Sequence, residues 1–208
     1  YIQMKVLLVN GSSREHGCTD RALREVAAAL NEEGIDTEFF FIGNAPIPDC
    51  TACGSCRKTG KGVFGDVANR LAEKALECDG FVFGSPVYYA HPSARLLTVL
   101  DRAFYSCGRN FAFKPGAAVV SARRSGTTAS VEVINKYFGI TSMPIVSSTY
   151  WNAVHGNTPA EVEQDTEGLA TMANIGHNMA WMLRCIEAGK AAGITPHEPK
   201  RERTSFIR

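Results

Sequence analysis

The chain has 208 residues, enough for one domain and too few for two well-buried cores. It is 45% hydrophobic and 21% charged, the composition of an ordinary globular protein, and a net charge of +1 supplies no field that would draw in nucleic acid or an anionic membrane surface. No run approaches the ~18–20 apolar residues of a spanning helix, and seven cysteines, an odd number mostly within apparent helices or strand ends, suit a reducing compartment better than a disulfide framework.

We therefore expect a soluble cytoplasmic protein with reduced thiols and no nucleic-acid or membrane partner. The first apolar run, Val6–Val9, stops at Asn10-Gly11 and is too short for the apolar stretch of a signal peptide. Five apolar runs, Lys5–Asn10, Thr37–Ile42, Gly80–Ser85, Ala117–Ser121 and Pro144–Ser147, read as strands. They are nearly continuous rather than alternating, as in parallel strands covered on both faces. Helical spacing lies between them, over Thr19–Glu33, Asp66–Glu77, Pro92–Tyr105 and Thr127–Phe138, with a last helical region over Pro159–Ala192. Gly34 stands where a left-handed cap would end the first helix. Thr158-Pro159-Ala160-Glu161 has the pattern of a capping box that starts the last one. The alternation predicts an α/β fold: a doubly wound, five-stranded parallel sheet with helices on both faces, as one domain over 4–192, followed by a basic tail over 193–208.

Three turns at the carboxyl ends of strands carry polar chemistry. The first, GSSREHGCT from Gly11 to Thr19, follows a strand and opens a helix, whose free amides and dipole suit a phosphate. Ser12 and Thr19 offer hydroxyls, and Arg14 offers a charge-assisted bond. The loop is neither a Walker A loop nor a dinucleotide G-x-G-x-x-G turn, and the plainer reading is a Ser/Gly turn that only caps a helix. The second turn, Gly84–Pro92, is stiffened by two prolines and presents Tyr88 and Tyr89, which would stack on a flat heteroaromatic ring or else cap the core. The third, Ser121–Thr128, holds Arg123 and Arg124, which would bind a phosphate, stabilise negative charge on a bound ring, or lie solvated at the surface. In open α/β sheets ligands sit at this edge, by the switch point.

In this order GSSREHGCT, GSPVYYAHPSARLLTVLDR and SARRSGTT resemble the NAD(P)H-dependent FMN reductases of the flavodoxin superfamily, from Met4 to about Leu183. YWNAVHG and QDTEGLATMANIGHNMAWML resemble one branch of them. The resemblance implies a flavodoxin-like fold and bound FMN, with Ser12, Arg14, Cys18 and Thr19 at its phosphate. Pro86, Val87, Tyr88 and Tyr89 would edge the isoalloxazine ring, and Ser121, Arg123, Arg124 and Gly126 would lie on its far side. Family members often carry Asn where Cys18 stands, which leaves the backbone amide at that position. The implied activity is an FMN-dependent oxidoreductase that passes hydride from NAD(P)H to a second acceptor. The flavin supplies the chemistry, so no catalytic side chain is expected. The alternative is an electron carrier that binds FMN without using NAD(P)H; such carriers tend to be acidic, and the near-neutral charge favours the enzyme.

The long connection Gly43–Gly65 contains Cys50, Cys53 and Cys56. Iron–sulfur flavoproteins, related to this family, carry a fourth cysteine shortly after such a triplet, where this chain has Gly62. Cys78 lies beyond a helix that would carry it ~18 Å toward the opposite sheet edge. Free or redox-active thiols are therefore expected, with no stable cluster and no metal site. An oxidant-sensing role for the loop is a third reading of the chain. Apolar residues around the perimeter of Ala170–Ile186, with Tyr150-Trp151 upstream, lead us to expect a homodimer or homotetramer.

Overall fold

The computed structural model describes residues 3–197 together with 202, 204, 206 and 207, so part of the expected basic tail lies outside the described residues. In chain order the elements are β1 (Lys5–Asn10), α1 (Cys18–Glu32), β2 (Asp36–Phe41), α2 (Cys56–Thr59), α3 (Val67–Lys74), β3 (Gly80–Tyr88) and β4 (His91–Pro92). There follow α4 (Ala94–Cys107), β5 (Gly116–Ala122), α5 (Thr127–Ile140), β6 (Ala153–His155), α6 (Pro159–Val162) and α7 (Thr166–Ala191). Five parallel strands run in the order β2-β1-β3-β5-β6, and β4 pairs antiparallel with the end of β3. This is the flavodoxin-like doubly wound sheet that the strand–helix alternation predicts. The order reverses at β1, and the crevice beside the ends of β1 and β3 is its switch point.

Burial on both faces explains the unbroken apolar strands. In β1, Leu7 and Val9 enter the core covered by α3, α4 and α5, whereas Val6 and Leu8 enter the core covered by α1 and α7. The first core is aromatic, with Phe81 against Phe111 at 4.9 Å and Phe104 stacked on Phe111 at 4.2 Å. In the second, Met172, Ile175, Met179 and Leu183 of α7 are buried, each contributing roughly 1.5–3 kcal/mol by leaving water.

Two elements differ from expectation. The fifth strand is Ala153–His155, not Pro144–Ser147. The latter segment makes only a single bridge, Ile145 opposite Gly116, and then leaves the sheet. β6 pairs with β5 from Val120↔Ala153 to Ala122↔His155, so the outer strand forms where the chain returns beside the carboxyl end of β5. The last helical region is two helices, broken at Glu163–Asp165, because Asp165 turns its carboxylate onto the N–H groups of Gly168 (2.9 Å) and His155 (2.6 Å). That contact ties the start of α7 to the end of β6. Half of the expected capping box forms: the Thr158 hydroxyl accepts from Glu161 N–H, but the Glu161 carboxylate accepts from the N–H of Asn157, one residue before the cap. Gly34 adopts φ +72°, the left-handed conformation that ends α1.

Candidate functional site

The three polar turns meet at the switch point. Asn10, the last residue of β1, shapes the first: its side-chain oxygen accepts from Ser12 N–H at 3.0 Å, and its amide donates to Glu15 C=O at 2.9 Å. The Ser12 hydroxyl accepts from Arg14 N–H at 3.0 Å, which rolls the loop into a tight curve, with Ser12 buried and Arg14 exposed. Gly17 precedes α1 and supplies no capping side chain. The amides of the first turn of α1 are therefore left to a ligand or water. α5 likewise begins after Gly126 with no side-chain cap. By contrast α4, between them in sequence, is capped by Ser93, whose hydroxyl accepts from Leu96 N–H and donates to Gly11 C=O at 2.7 Å.

Specific contacts lock the turns to one another. Gly11 N–H donates to Gly84 C=O at 2.8 Å, joining the first turn to β3. A Cβ on Gly84 would lie 2.8 Å from Thr19 Cγ2, so glycine is what lets α1 press onto the sheet there. Thr19 and Ser121, both buried, share a 2.9 Å hydroxyl contact that joins the first turn to the third. The Cys18 thiol donates to Gly156 C=O at 3.7 Å, which turns its side chain toward the loop after β6 and leaves its backbone amide at the head of α1. Burial pushes the Cys18 thiol pKa up, against the lowering effect of its own backbone and of Arg14.

In the second turn Pro86 and Val87 are half-buried, and Tyr88 and Tyr89 are exposed. Tyr89 (φ +51°) and Ala90 (φ +58°) form a two-residue hairpin tip between Tyr88 and His91. Left-handed φ at both central residues is the geometry of the tightest hairpins, but an aromatic residue there is strained and is held only by its surroundings. Those surroundings are the third turn: Gly126, at φ +93°, lies so close that a Cβ on it would stand 2.5 Å from Ala90 Cα. Arg123 and Arg124 are exposed on the same turn.

The three turns that carry the expected site residues thus adjoin one another at the carboxyl edge of the sheet. Sequence reasoning passed over Asn10, Ser93 and Gly156, which brace the turns. An Asn before Gly-Ser-Ser and a Ser just before a helical run were local signals for the first two.

Residues 4–158 match the NADPH-dependent FMN reductase family. The chain belongs to that family. It is accordingly a flavin-dependent oxidoreductase. It is 33% identical over 192 residues to an iron-sulfur flavoprotein of Methanocaldococcus jannaschii, covering 88% of this chain and 100% of that protein. With an iron-sulfur flavoprotein of Archaeoglobus fulgidus it shares 26% over 193 residues, covering 86% and 97%. Its fold is similar to that of RosB, solved with bound OHC-RP (8-demethyl-8-formylriboflavin-5'-phosphate), at TM-score 0.69 and 14% identity, covering 99% of this chain and 92% of that one.

A flavin fits the crevice by its own chemistry. Two helices open there without side-chain caps, at a height set by buried hydroxyls, and a stiff aromatic hairpin stands beside them. The site lies at the carboxyl edge of the sheet. The Cys50/Cys53/Cys56 loop lies to one side, alongside the later turns of α4: Arg102 of α4 donates to Pro48 C=O and lines the same cavity as the three cysteines. Arg102 is eight residues along from Ala94, or roughly 12 Å down the helix axis.

Proposed function

We propose that the chain binds FMN at this crevice and transfers hydride from NAD(P)H, through the bound flavin, to a second acceptor. The observation that carries the reading is the convergence of two uncapped helix N-termini with the hairpin of Pro86–Ala90 at the switch point. The first-turn amides of α1, with Ser12 and Arg14, would hold a terminal monophosphate. Pro86, Val87 and the two tyrosines would border the ring, while Ser121 and Gly126 fix the opposite wall. Thr19 acts through Ser121, keeping the two walls in register. FMN, when bound, supplies the hydride and electron transfer. The protein's task is to bind, to orient and to leave one ring face open. Arg123 and Arg124 place positive charge beside the crevice, where it would favour an anionic ligand.

Titration with FMN, FAD and riboflavin, read by flavin fluorescence, tests the phosphate assignment. FMN is expected to bind at least ten times more tightly than riboflavin, and Ser12→Glu is expected to abolish that preference by placing a carboxylate in the curve. Equal affinity for FMN and riboflavin would refute it. Stopped-flow mixing of the flavin-loaded protein with NADPH or NADH tests the enzyme. Bleaching of the flavin at a rate that saturates with nucleotide is expected, and its absence would leave the carrier reading.

The reading extends to assembly and compartment. Trp181, Tyr150 and Trp151 are all more than half exposed although α7 already buries its apolar stripe on the sheet, and exposed amphipathic aromatics of this kind suit subunit contacts. A homodimer or homotetramer is expected in sedimentation velocity, and a monomer at all concentrations would refute it. A reducing, cytoplasmic setting is proposed on the sequence, whose seven cysteines are an odd number and mostly sit on helices and strand ends.

A further inference from the structure

The flavin reading leaves the cysteine loop without a task. Cys50, Cys53 and Cys56 line one small surface cavity of about 40 Å³, with Gly62 and Tyr105 of α4 also in its lining. The cavity is built, not a chance gap between mobile segments. Arg102, with only 4% of its side chain exposed, makes a two-pronged ion pair with Asp66 (2.6 and 2.7 Å) and lies over the Phe64 ring. The Asn69 side chain bonds both the N–H and the C=O of Gly62, and Arg57 donates to the Tyr105 hydroxyl at 3.2 Å.

The names of the relatives raise an iron–sulfur cluster, whose usual protein ligand set is four thiolates. The donor set here does not fit it. Gly62, which also lines the cavity, stands where the resemblance to iron–sulfur flavoproteins implies a fourth cysteine, and it has no side chain to offer. Cys78 is buried two residues before β3, at the amino end of the sheet. Cys107, a thiol that sequence spacing did not bring to notice, donates to Gly60 C=O at 2.6 Å and lines the neighbouring cavity instead. Among the described residues no group of three or more His, Cys, Asp or Glu is placed to hold a metal ion.

We infer that this pocket is a thiol redox site, in which Cys53 reacts with a hydroperoxide and then closes a disulfide with Cys56, in place of a four-thiolate cluster. Cys53 is the more exposed of the two thiols, and both line the cavity. The neighbouring Ser55, through its N–H and hydroxyl, holds the Cys53 pKa below that of an ordinary thiol. Gly54, at φ +73°, reverses the chain between the two cysteines, and Arg57 N–H bonds back to Gly54 C=O. Cys53 and Cys56 thus flank that turn and line the same cavity. Cys56 opens α2 and is half-buried, the position of a thiol that resolves rather than attacks first. In the first step the Cys53 thiolate attacks the terminal oxygen of ROOH; the O–O bond breaks, ROH leaves after taking a proton, and Cys53 becomes a sulfenic acid. Next the Cys56 sulfur attacks the Cys53 sulfur, the S–O bond breaks, and water leaves with the Cys56 proton. Two thiols are oxidised and one hydroperoxide is reduced.

The test uses the full-length, flavin-loaded chain, and its readouts do not depend on flavin, so failure of the FMN assignment and failure of this one are distinguishable. After anaerobic incubation with ferrous iron and sulfide, and separately with zinc, the desalted wild type is expected to retain neither metal in stoichiometric amount. Stoichiometric iron with sulfide, or stoichiometric zinc, would overturn the inference. Titration of the reduced protein with hydrogen peroxide is expected to remove two titratable thiols per chain and to give a loop peptide lighter by two hydrogens. Cys53→Ser is expected to abolish this change, Cys56→Ser to leave a dimedone-reactive sulfenic acid on Cys53, and Cys107→Ser to leave the disulfide intact. A disulfide that still forms in Cys53→Ser, or one that requires Cys107, would equally overturn it.

Discussion

Replacing Asp66 tests how the cysteine loop is fastened to the domain. The carboxylate accepts both prongs of the Arg102 guanidinium and also caps α3 by accepting from Ala68 N–H at 3.2 Å. Arg102 is nearly fully buried and Asp66 about one quarter exposed. Breaking a buried pair by removing one partner costs about 3–5 kcal/mol; with Asp66 partly in water the lower end applies, about 3 kcal/mol. The lost cap adds about 1 kcal/mol, so Asp66→Ala should cost about 4 kcal/mol. Asp66→Asn keeps a capping oxygen and should cost about 3 kcal/mol. In urea unfolding followed by circular dichroism, a slope of about 2.5 kcal/mol per molar turns 4 kcal/mol into a midpoint shift of about 1.5 M. Arg102→Met in the Asp66→Ala background should recover part of that loss, since it removes the stranded cation and keeps an apolar stem. A shift below about 0.3 M for Asp66→Ala, or strict additivity in the double variant, would refute the claim that a desolvated ion pair holds the loop.

Gly126→Ala places a Cβ against Ala90 at a left-handed φ; it should weaken FMN binding about tenfold with a fall in melting temperature, since strain of this kind amounts to about 1–3 kcal/mol. Burial pushes the Cys78 thiol up to about 11, so iodoacetamide at pH 8 should label Cys53 first and spare Cys78 in the folded protein, as read by peptide mass mapping. Because Cys78 is raised above its usual 9.0, its contribution to stability is full below pH 9 and is lost as the pH rises toward 11, which the melting temperature should follow. Glu33 and Glu163 are held low by hydrogen bonds from Arg184 and Arg21, and Glu38 by one from Lys74. Their contributions are present above the usual carboxylate value of 4.5 and fade as the pH falls below it. Stability measured from pH 6 to pH 3 should decline, and Arg184→Met should flatten the decline.

The local code was sufficient wherever a signal is carried by neighbouring residues. Unbroken apolar runs marked β1, β3 and β5 because a doubly covered strand must be apolar on both faces, and Gly34 and the Thr158–Glu161 pair marked helix ends because caps act over a few residues. The Ser/Gly curve after β1 was legible as a tight turn for the same reason: its hydrogen bonds, Ser12 to Asn10 and Arg14 to Ser12, are local. Tertiary structure decided the rest. Pro144–Ser147 has the stronger strand pattern, yet Ala153–His155 became the fifth strand, because an outer strand is chosen by where the chain can return to β5 and not by its own propensity. The break at Glu163–Asp165 followed from a carboxylate needed by His155 as well as Gly168, a partner ten residues away. The contacts that make a site out of separate turns, Thr19 with Ser121 and Gly126 with Ala90, join residues 102 and 36 positions apart. So does the placing of Cys107 beside Gly60 rather than among the loop thiols. No periodicity records such pairings, since they arise from the distances at which sheet and helices pack.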